Sequence, residues 1–257
     1  MILHCLGSVF LNNPTSVKLN DYFQFKQFTI YQDRCAMKVG TDGVLLGAWA
    51  TVPDEGNILD VGSGTGLLAL MCAQRSKSAQ IEAVEINPAA AMQAEENCRG
   101  SNWSHRIRVV NDSFQDFSHA HATGTKYDLI ISNPPFFRDS LKPPADSRSM
   151  ARHNDKLSAD LLLYNAARVL TNSGIVSIIY PAEDIEYLIS TAFFYLLYPI
   201  RRTFIKPYEG KKNIRCLIEF GQEQGKKCTE DIIAIRSAAG EFSEDYKKLT
   251  AAFYLKF

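Results

Sequence analysis

From Asn57 onward the chain alternates short β-rich runs with longer runs of helical periodicity, and few architectures accept that pattern. "NILDVG" (57–62), "QIEAVEI" (80–86), "IRVVN" (107–111), "YDLIIS" (127–132) and "IVSIIYP" (175–181) read as strands. Between them, "GLLALMCAQRS", "PAAAMQAEENC" and "SADLLLYNAARVL" carry apolar residues at helical spacing. The second is opened by Pro88 and the third is stopped near Gly174. Strands that alternate with helices are joined in parallel through crossovers. Near-continuous Ile, Val and Leu within the strands means burial on both faces. The expectation is a doubly wound, Rossmann-like α/β sheet, mostly parallel. A long apolar helix over about 185–198 follows. "RRTFIKPY" and "RCLIEFG", joined by "EGKKN", then predict a C-terminal antiparallel hairpin.

With 257 residues, 46% of them hydrophobic, the chain can bury one large core. Residues 1–20 read as a flexible lead-in and 21–257 as a single domain. No run approaches the roughly 18 apolar residues of a membrane span. The N-terminus lacks the basic flank and small-residue cleavage site of a secretory leader, so secretion is not expected. Six scattered cysteines without a C-x-x-C pair read as reduced thiols of a cytoplasmic protein. The five histidines have no partners at metal-ligand spacing, so no metal is expected. A net charge of zero excludes no partner, because a basic patch can hide inside a neutral total.

"LDVGSGTG" (59–66) links the first strand of the alternation to its helix. Gly62, Gly64 and Gly66 permit a sharp turn and a close ligand approach. Their G-x-G-x-G spacing is one residue shorter than the dinucleotide fingerprint, and a tight βα turn would use the same glycines. Asp60, just before the loop, suits an ammonium or sulfonium better than a phosphate. Glu85 ends the next strand, where an acid hydrogen-bonds ribose hydroxyls; a solvated strand-end charge is its bland reading. Asp112 ends the third strand, where it can meet an adenine amino group beside Phe114, or be an ordinary loop acid. Upstream, "RCAMKVGTDGVLLGAWA" reads as a segment folding over the ligand's amino-acid end, with Thr41 or Asp42 as contacts. A helix N-cap at either residue explains the same letters.

"SNPPFF" (132–137) closes the fourth strand. Proline donates nothing to a ladder, so the pair lies past the last rung. In a doubly wound sheet that strand ends beside the first, which places Asn133 in the ligand crevice. An exocyclic amine on a base is a poor nucleophile because its lone pair is delocalised into the ring. The Asn133 side-chain oxygen and the Pro134 carbonyl, stiffened by Pro135, can accept both of its N–H groups and aim the lone pair at a methyl donor. Phe136 can stack on the base.

These residues resemble the Asn-Pro-Pro-Tyr/Phe class of S-adenosylmethionine-dependent amino methyltransferases. "FQFKQFTIYQDRCAMKVGTDGVLLGAWA", "LDVGSGTGLLALMCAQR", "YDLIISNPPFF" and "EDYKKLTAAFYLKF" resemble, more narrowly, the bacterial methyltransferases that make N6-methyladenosine beside the anticodon of valine tRNA. The likeness runs from Tyr22 to Phe257. It implies a class I methyltransferase fold, S-adenosylmethionine as cofactor and tRNA as partner. It also implies catalysis through Asn133–Phe136, a cofactor loop at Gly62, Gly64 and Gly66, and Glu85 on the ribose. Phe136 departs from the Tyr of many relatives, and residues 1–20 match nothing in the family.

The RNA surface is expected in two basic sets. Arg138 and Arg152 follow the Asn-Pro-Pro motif, and Arg201, Arg202, Lys211 and Lys212 lie in the C-terminal hairpin region. Solvated charge runs are the alternative. The expected working unit is a monomer, in the cytoplasm, without membrane or metal. Two other acceptors fit the same chemistry, the N2 of guanine in rRNA and a protein glutamine amide. A nicotinamide-dependent oxidoreductase is disfavoured by the short glycine spacing, and a non-catalytic RNA-binding module by the intact motif.

Overall fold

The computed structural model describes residues 21–35, 37–135 and 157–257. The chain opens with a small antiparallel hairpin, β1 (Tyr22–Gln24) and β2 (Thr29–Tyr31), followed by helix α1 (Thr41–Trp49). The alternation then runs β3 (Asn57–Val61), α2 (Leu67–Arg75), β4 (Gln80–Glu85), α3 (Pro88–Arg99), β5 (Ile107–Asn111), α4 (Phe114–Ala120) and β6 (Tyr127–Ser132). After the stretch outside the described residues come α5 (Ala159–Val169), β7 (Leu170–Pro181), α6 (Ile185–Phe194), β8 (Tyr198–Tyr208), β9 (Arg215–Gly221), β10 (Thr229–Arg236) and α7 (Glu244–Thr250).

Eight strands form one sheet in the order β10-β8-β9-β7-β6-β3-β4-β5. Strands β3 to β7 are mutually parallel, and β9 is antiparallel to both neighbours, β7 and β8. The expected class and the expected hairpin are both present. Successive strand residues serve opposite faces. Ile58, Leu129 and Ile131 join a core shared with α1 and α2, while Leu59 and Ile130 join one shared with α4, α5 and α6. Each fully buried aliphatic side chain contributes roughly 1.5–3 kcal/mol, which is why the interior strands are apolar on both sides.

Two expectations shift. Helix α6 stops at Phe194 rather than near 198, because Leu196 turns left-handed (φ 57°) and Leu197 N–H returns to the Ala192 carbonyl at 3.0 Å. Gly174 does not stop helix α5, which ends at Val169. It lies in a bulge of β7, where the register steps from Tyr127↔Leu170 to Leu129↔Ile175. A Cβ there would meet the Tyr127 carbonyl oxygen at 2.8 Å. The edge strand β10 and the hairpin β1–β2 are elements that the sequence reading did not mark.

The chain runs from β3 outward to β5, then returns to β6 on the other side of β3. Ligands of open α/β sheets bind where the order reverses, at the carboxyl ends of the strands. Here that point lies between β3 and β6.

Candidate active site

Strands β3 and β6 end side by side and are fastened there. Ser132 is buried, and its Oγ donates to the Val61 carbonyl at 2.8 Å. One residue further, Gly62 begins the glycine loop on one strand and Asn133 the Asn-Pro-Pro turn on the other. Gly62, Gly64 and Gly66 all have positive φ (69°, 54° and 79°). A Cβ on Gly64 would have nothing within 4 Å, whereas one on Gly66 would sit 3.2 Å from Cys98 Sγ. The second glycine therefore leaves a face open to a ligand, and the third lets α2 approach α3.

Two cavities meet at Gly62. One, of about 440 Å³, is lined by Val61, Val84, Ile86, Asp112, Phe114 and, from α5 and its approach, Leu157, Leu161 and Asn165. The other, of about 430 Å³, lies between the glycine loop (Gly62–Thr65) and the strap Met37–Gly43, with Asn133 in its wall. Thr41 and Asp42 both line this second cavity. The N-cap alternative fails, because the N-cap of α1 is Gly40 and no side chain caps it. Asp42 instead accepts from Arg215 Nε at 2.7 Å.

Glu85 is buried at the end of β4 and splints the loop. Its Oε2 accepts from Gly64 N–H at 2.8 Å and its Oε1 from Asn87 N–H at 2.9 Å. A carboxylate has about four acceptor sites, two of which these backbone bonds fill. Asp112 lines the first cavity, and its Oδ1 accepts from Ser113 N–H at 2.7 Å. Asp60, like Glu85, lines neither cavity, so its expected place against an ammonium or sulfonium is not one that the two cavities provide. It is fully buried beneath the loop, and its Oδ2 accepts from Ala69 N–H at 3.0 Å. Among the described residues Oδ1 has no partner. Burial pushes its carboxyl up to about 7, against the Ala69 hydrogen bond and with the help of nearby Glu85.

Pro134 is buried and Pro135 exposed; Phe136 lies outside the described residues. So do Arg138 and Arg152. The hairpin arginines divide differently from the expectation. Arg201 stacks on the Trp49 ring at 3.8 Å and donates to the Trp49 carbonyl (2.7 Å) and to buried Glu219 (3.1 Å). Arg202 pairs with Glu230 (2.6 Å) and Glu186 (3.3 Å). Arg201 is thus tied to α1 and to buried Glu219, whereas Arg202 pairs at the surface with acids that are themselves exposed. Lys211 and Lys212 are exposed at the β8–β9 turn, as required of phosphate contacts.

The sequence reading missed Leu157, Leu161 and Asn165, although Leu161 and Asn165, four residues apart, share one helical face. It missed the Asp42–Arg215 pair for a different reason: no local signal joins residues 173 positions apart. Among the described residues there is no group of three His, Cys, Asp or Glu able to hold a metal, and no helix is long and apolar enough to cross a membrane.

Residues 39–183, from the strap through β7, match the methyltransferase small domain, so fold and crevice together are those of a methyltransferase. The chain is 48% identical over 236 residues to the tRNA1(Val) (adenine(37)-N6)-methyltransferase of Phocaeicola vulgatus, covering 92% of this chain and 98% of that one. It is 46% identical to the enzyme of that name in Bacteroides thetaiotaomicron and 42% identical to that of Aeromonas hydrophila, each again covering 92% of this chain and 98% of the relative. It belongs to the tRNA1(Val) (adenine(37)-N6)-methyltransferase family. Solved structures agree on the fold. A predicted O-methyltransferase from Agrobacterium tumefaciens superposes with a TM-score of 0.66 at 17% identity, over 82% of this chain and 96% of that one. A second methyltransferase from that organism gives 0.53 at 14% identity, over 81% and 72%.

The crevice fits S-adenosylmethionine, the cofactor of this class. A cavity with Asp112 at its edge and Val61, Val84, Ile86 and Phe114 in its wall suits an adenosine, and the open side of Gly64 suits a close backbone approach.

Proposed function

We propose that this chain methylates the exocyclic N6 of an adenosine beside the anticodon of tRNA(Val). The methyl group comes from S-adenosylmethionine, bound with its adenosine near Asp112 and Glu85 and its amino-acid end under the strap with Thr41. The observation that carries the reading is the position of Asn133, in the wall of the same cavity as the glycine loop.

In this reading Asn133 Oδ1 and the Pro134 carbonyl accept the two N–H groups of the adenine amine. The lone pair is thereby localised on nitrogen and pointed across the cavity. Positive charge develops on that nitrogen as the bond forms, and the two oxygens stabilise it. Helix α1 keeps the amide in place: Gly43 packs so closely that a Cβ would lie 3.0 Å from Leu67 Cδ2 and 3.9 Å from Asn133 Nδ2. Buried Pro134 and the fixed φ of both prolines remove the freedom to swing away. Phe136 would stack on the base. A tRNA acceptor is met in the cytoplasm, so the chain is read as acting there.

The test is methyl transfer to bulk tRNA lacking the modification, read by nucleoside mass spectrometry. N6-methyladenosine is the expected product. Asn133→Ala should lower turnover by roughly 100-fold while cofactor binding persists, and Asn133→Asp, which still accepts from the amine, should lose less. Methylated guanine or a methylated protein glutamine would reassign the acceptor.

A further inference from the structure

Helix α3 buries two amides on an otherwise apolar face. Its inward positions are Ala90, Ala91, Gln93, Ala94, Asn97 and Cys98, and Gln93 and Asn97 are 1% and 3% exposed. An amide there is destabilising unless its hydrogen bonds are made. Asn97 makes three. Its Oδ1 accepts from Tyr31 N–H at 2.9 Å, and its Nδ2 donates to the carbonyls of Tyr31 (2.8 Å) and Thr65 (2.9 Å). One turn earlier, Gln93 Oε1 accepts from Arg34 N–H at 3.2 Å. Buried Gln32 in turn accepts from Val39 N–H at 2.8 Å.

These bonds join the two walls of the second cavity. Thr65 belongs to the glycine loop, while Tyr31 to Val39 leads into the strap that forms the opposite wall. We infer that Asn97 is a positioning residue for the methyl-donor cavity: from α3, behind the site, it sets the spacing between strap and glycine loop. The inference rests on the reading of that cavity as the place of the donor's amino-acid end. Asn97 touches no reacting atom. Its loss should therefore weaken donor binding and leave tRNA binding and the chemical step alone.

Calorimetry with S-adenosylhomocysteine, tRNA binding without donor, and steady-state kinetics separate the cases. Asn97→Ala should weaken donor binding by roughly 10-fold or more, the scale set by unpaired buried groups. The donor KM should rise with kcat kept, and tRNA affinity should stay within about twofold of wild type. Asn97→Asp is a sharper probe that needs no second protein. Its ionised carboxylate would face the carbonyls of Tyr31 and Thr65 and repel them, whereas its protonated form donates to one. At this buried position desolvation lifts the new carboxyl well above the free value of about 3.9, so donor affinity relative to wild type should be poor at about pH 8 and recover towards about pH 5. A folded Asn97→Ala that binds donor within about twofold of wild type overturns the inference, and so does a pH-independent defect in Asn97→Asp. A wild-type chain that binds no S-adenosylhomocysteine would instead defeat the reading of the cavity, and the inference with it.

Discussion

Asp60 is held in a conflict that a soluble carboxylate would never meet. It is wholly buried, one oxygen on the Ala69 N–H and the other unpaired among the described residues, and burial lifts its carboxyl from 3.8 to about 7. The folded chain therefore binds this proton more tightly than the unfolded chain does. Stability conferred by that proton is complete below about pH 4 and is lost as the pH climbs to about 7, a change on the order of 4 kcal/mol at most. Asp60→Asn, which keeps an acceptor for Ala69, should flatten this limb in urea denaturation measured from about pH 4 to 8. An unchanged slope would mean that the carboxylate is paired in solution. The type of residue and its place before the loop were legible in the sequence, but its direction was not. A strand-end position does not say whether the side chain faces the ligand or the core. Thr41 and Asp42 were undecided for the same reason, and the partner that separates them, Arg215, arrives from the far end of the chain.

Helix α1 shows what such distant partners accomplish at the level of an element. All its residues from Gly43 to Trp49 are buried, so its placement is decided by what grips its ends. At the first turn, Asp42 meets Arg215 at the start of β9. At the last, Arg201 of β8 donates to the Trp49 carbonyl, and Glu219 of β9 accepts from Thr51 N–H at 2.6 Å. Arg201, which the sequence suggested for RNA, is thus one of the brackets that hold α1, and with it Gly43, against the sheet. Arg201→Ala should destabilise the fold by roughly 1–3 kcal/mol, because it strips a charged partner from buried Glu219. The salt dependence of tRNA binding should stay as in wild type. A tRNA defect without a loss of thermal stability would restore Arg201 to the RNA surface. The interior strands were readable because their near-continuous Ile, Val and Leu serve both faces of a buried sheet. Strand β10 was not, because it is an edge strand with an exposed first half, and its alternation is dilute.

Across the whole molecule, strand direction determines which loops share the catalytic rim. Arg215 pairs with Pro181 at the carboxyl end of β7, so the β8–β9 turn lies at the same end of the sheet as Gly62, Asp112 and Asn133. Strand β9 is two places from β6 and β8 three. At about 4.8 Å per step this sets Lys211 and Lys212 roughly 10–14 Å along the rim from the Asn-Pro-Pro turn. That reach suits backbone phosphates a nucleotide or two from a base held at Asn133. The chain's zero net charge leaves this grip local, with Arg202 already neutralised by Glu186 and Glu230. tRNA affinity should therefore fall steeply with salt. Replacing Lys211 and Lys212 together by Glu should weaken binding across tRNAs and flatten the plot of log affinity against log salt by about 2, one for each phosphate lost. Donor affinity should not move, because neither lysine lines the cofactor crevice. A double variant that binds tRNA as wild type does would move the grip to another part of the rim. A salt-independent affinity would remove the polyanion altogether and return a protein glutamine as the acceptor.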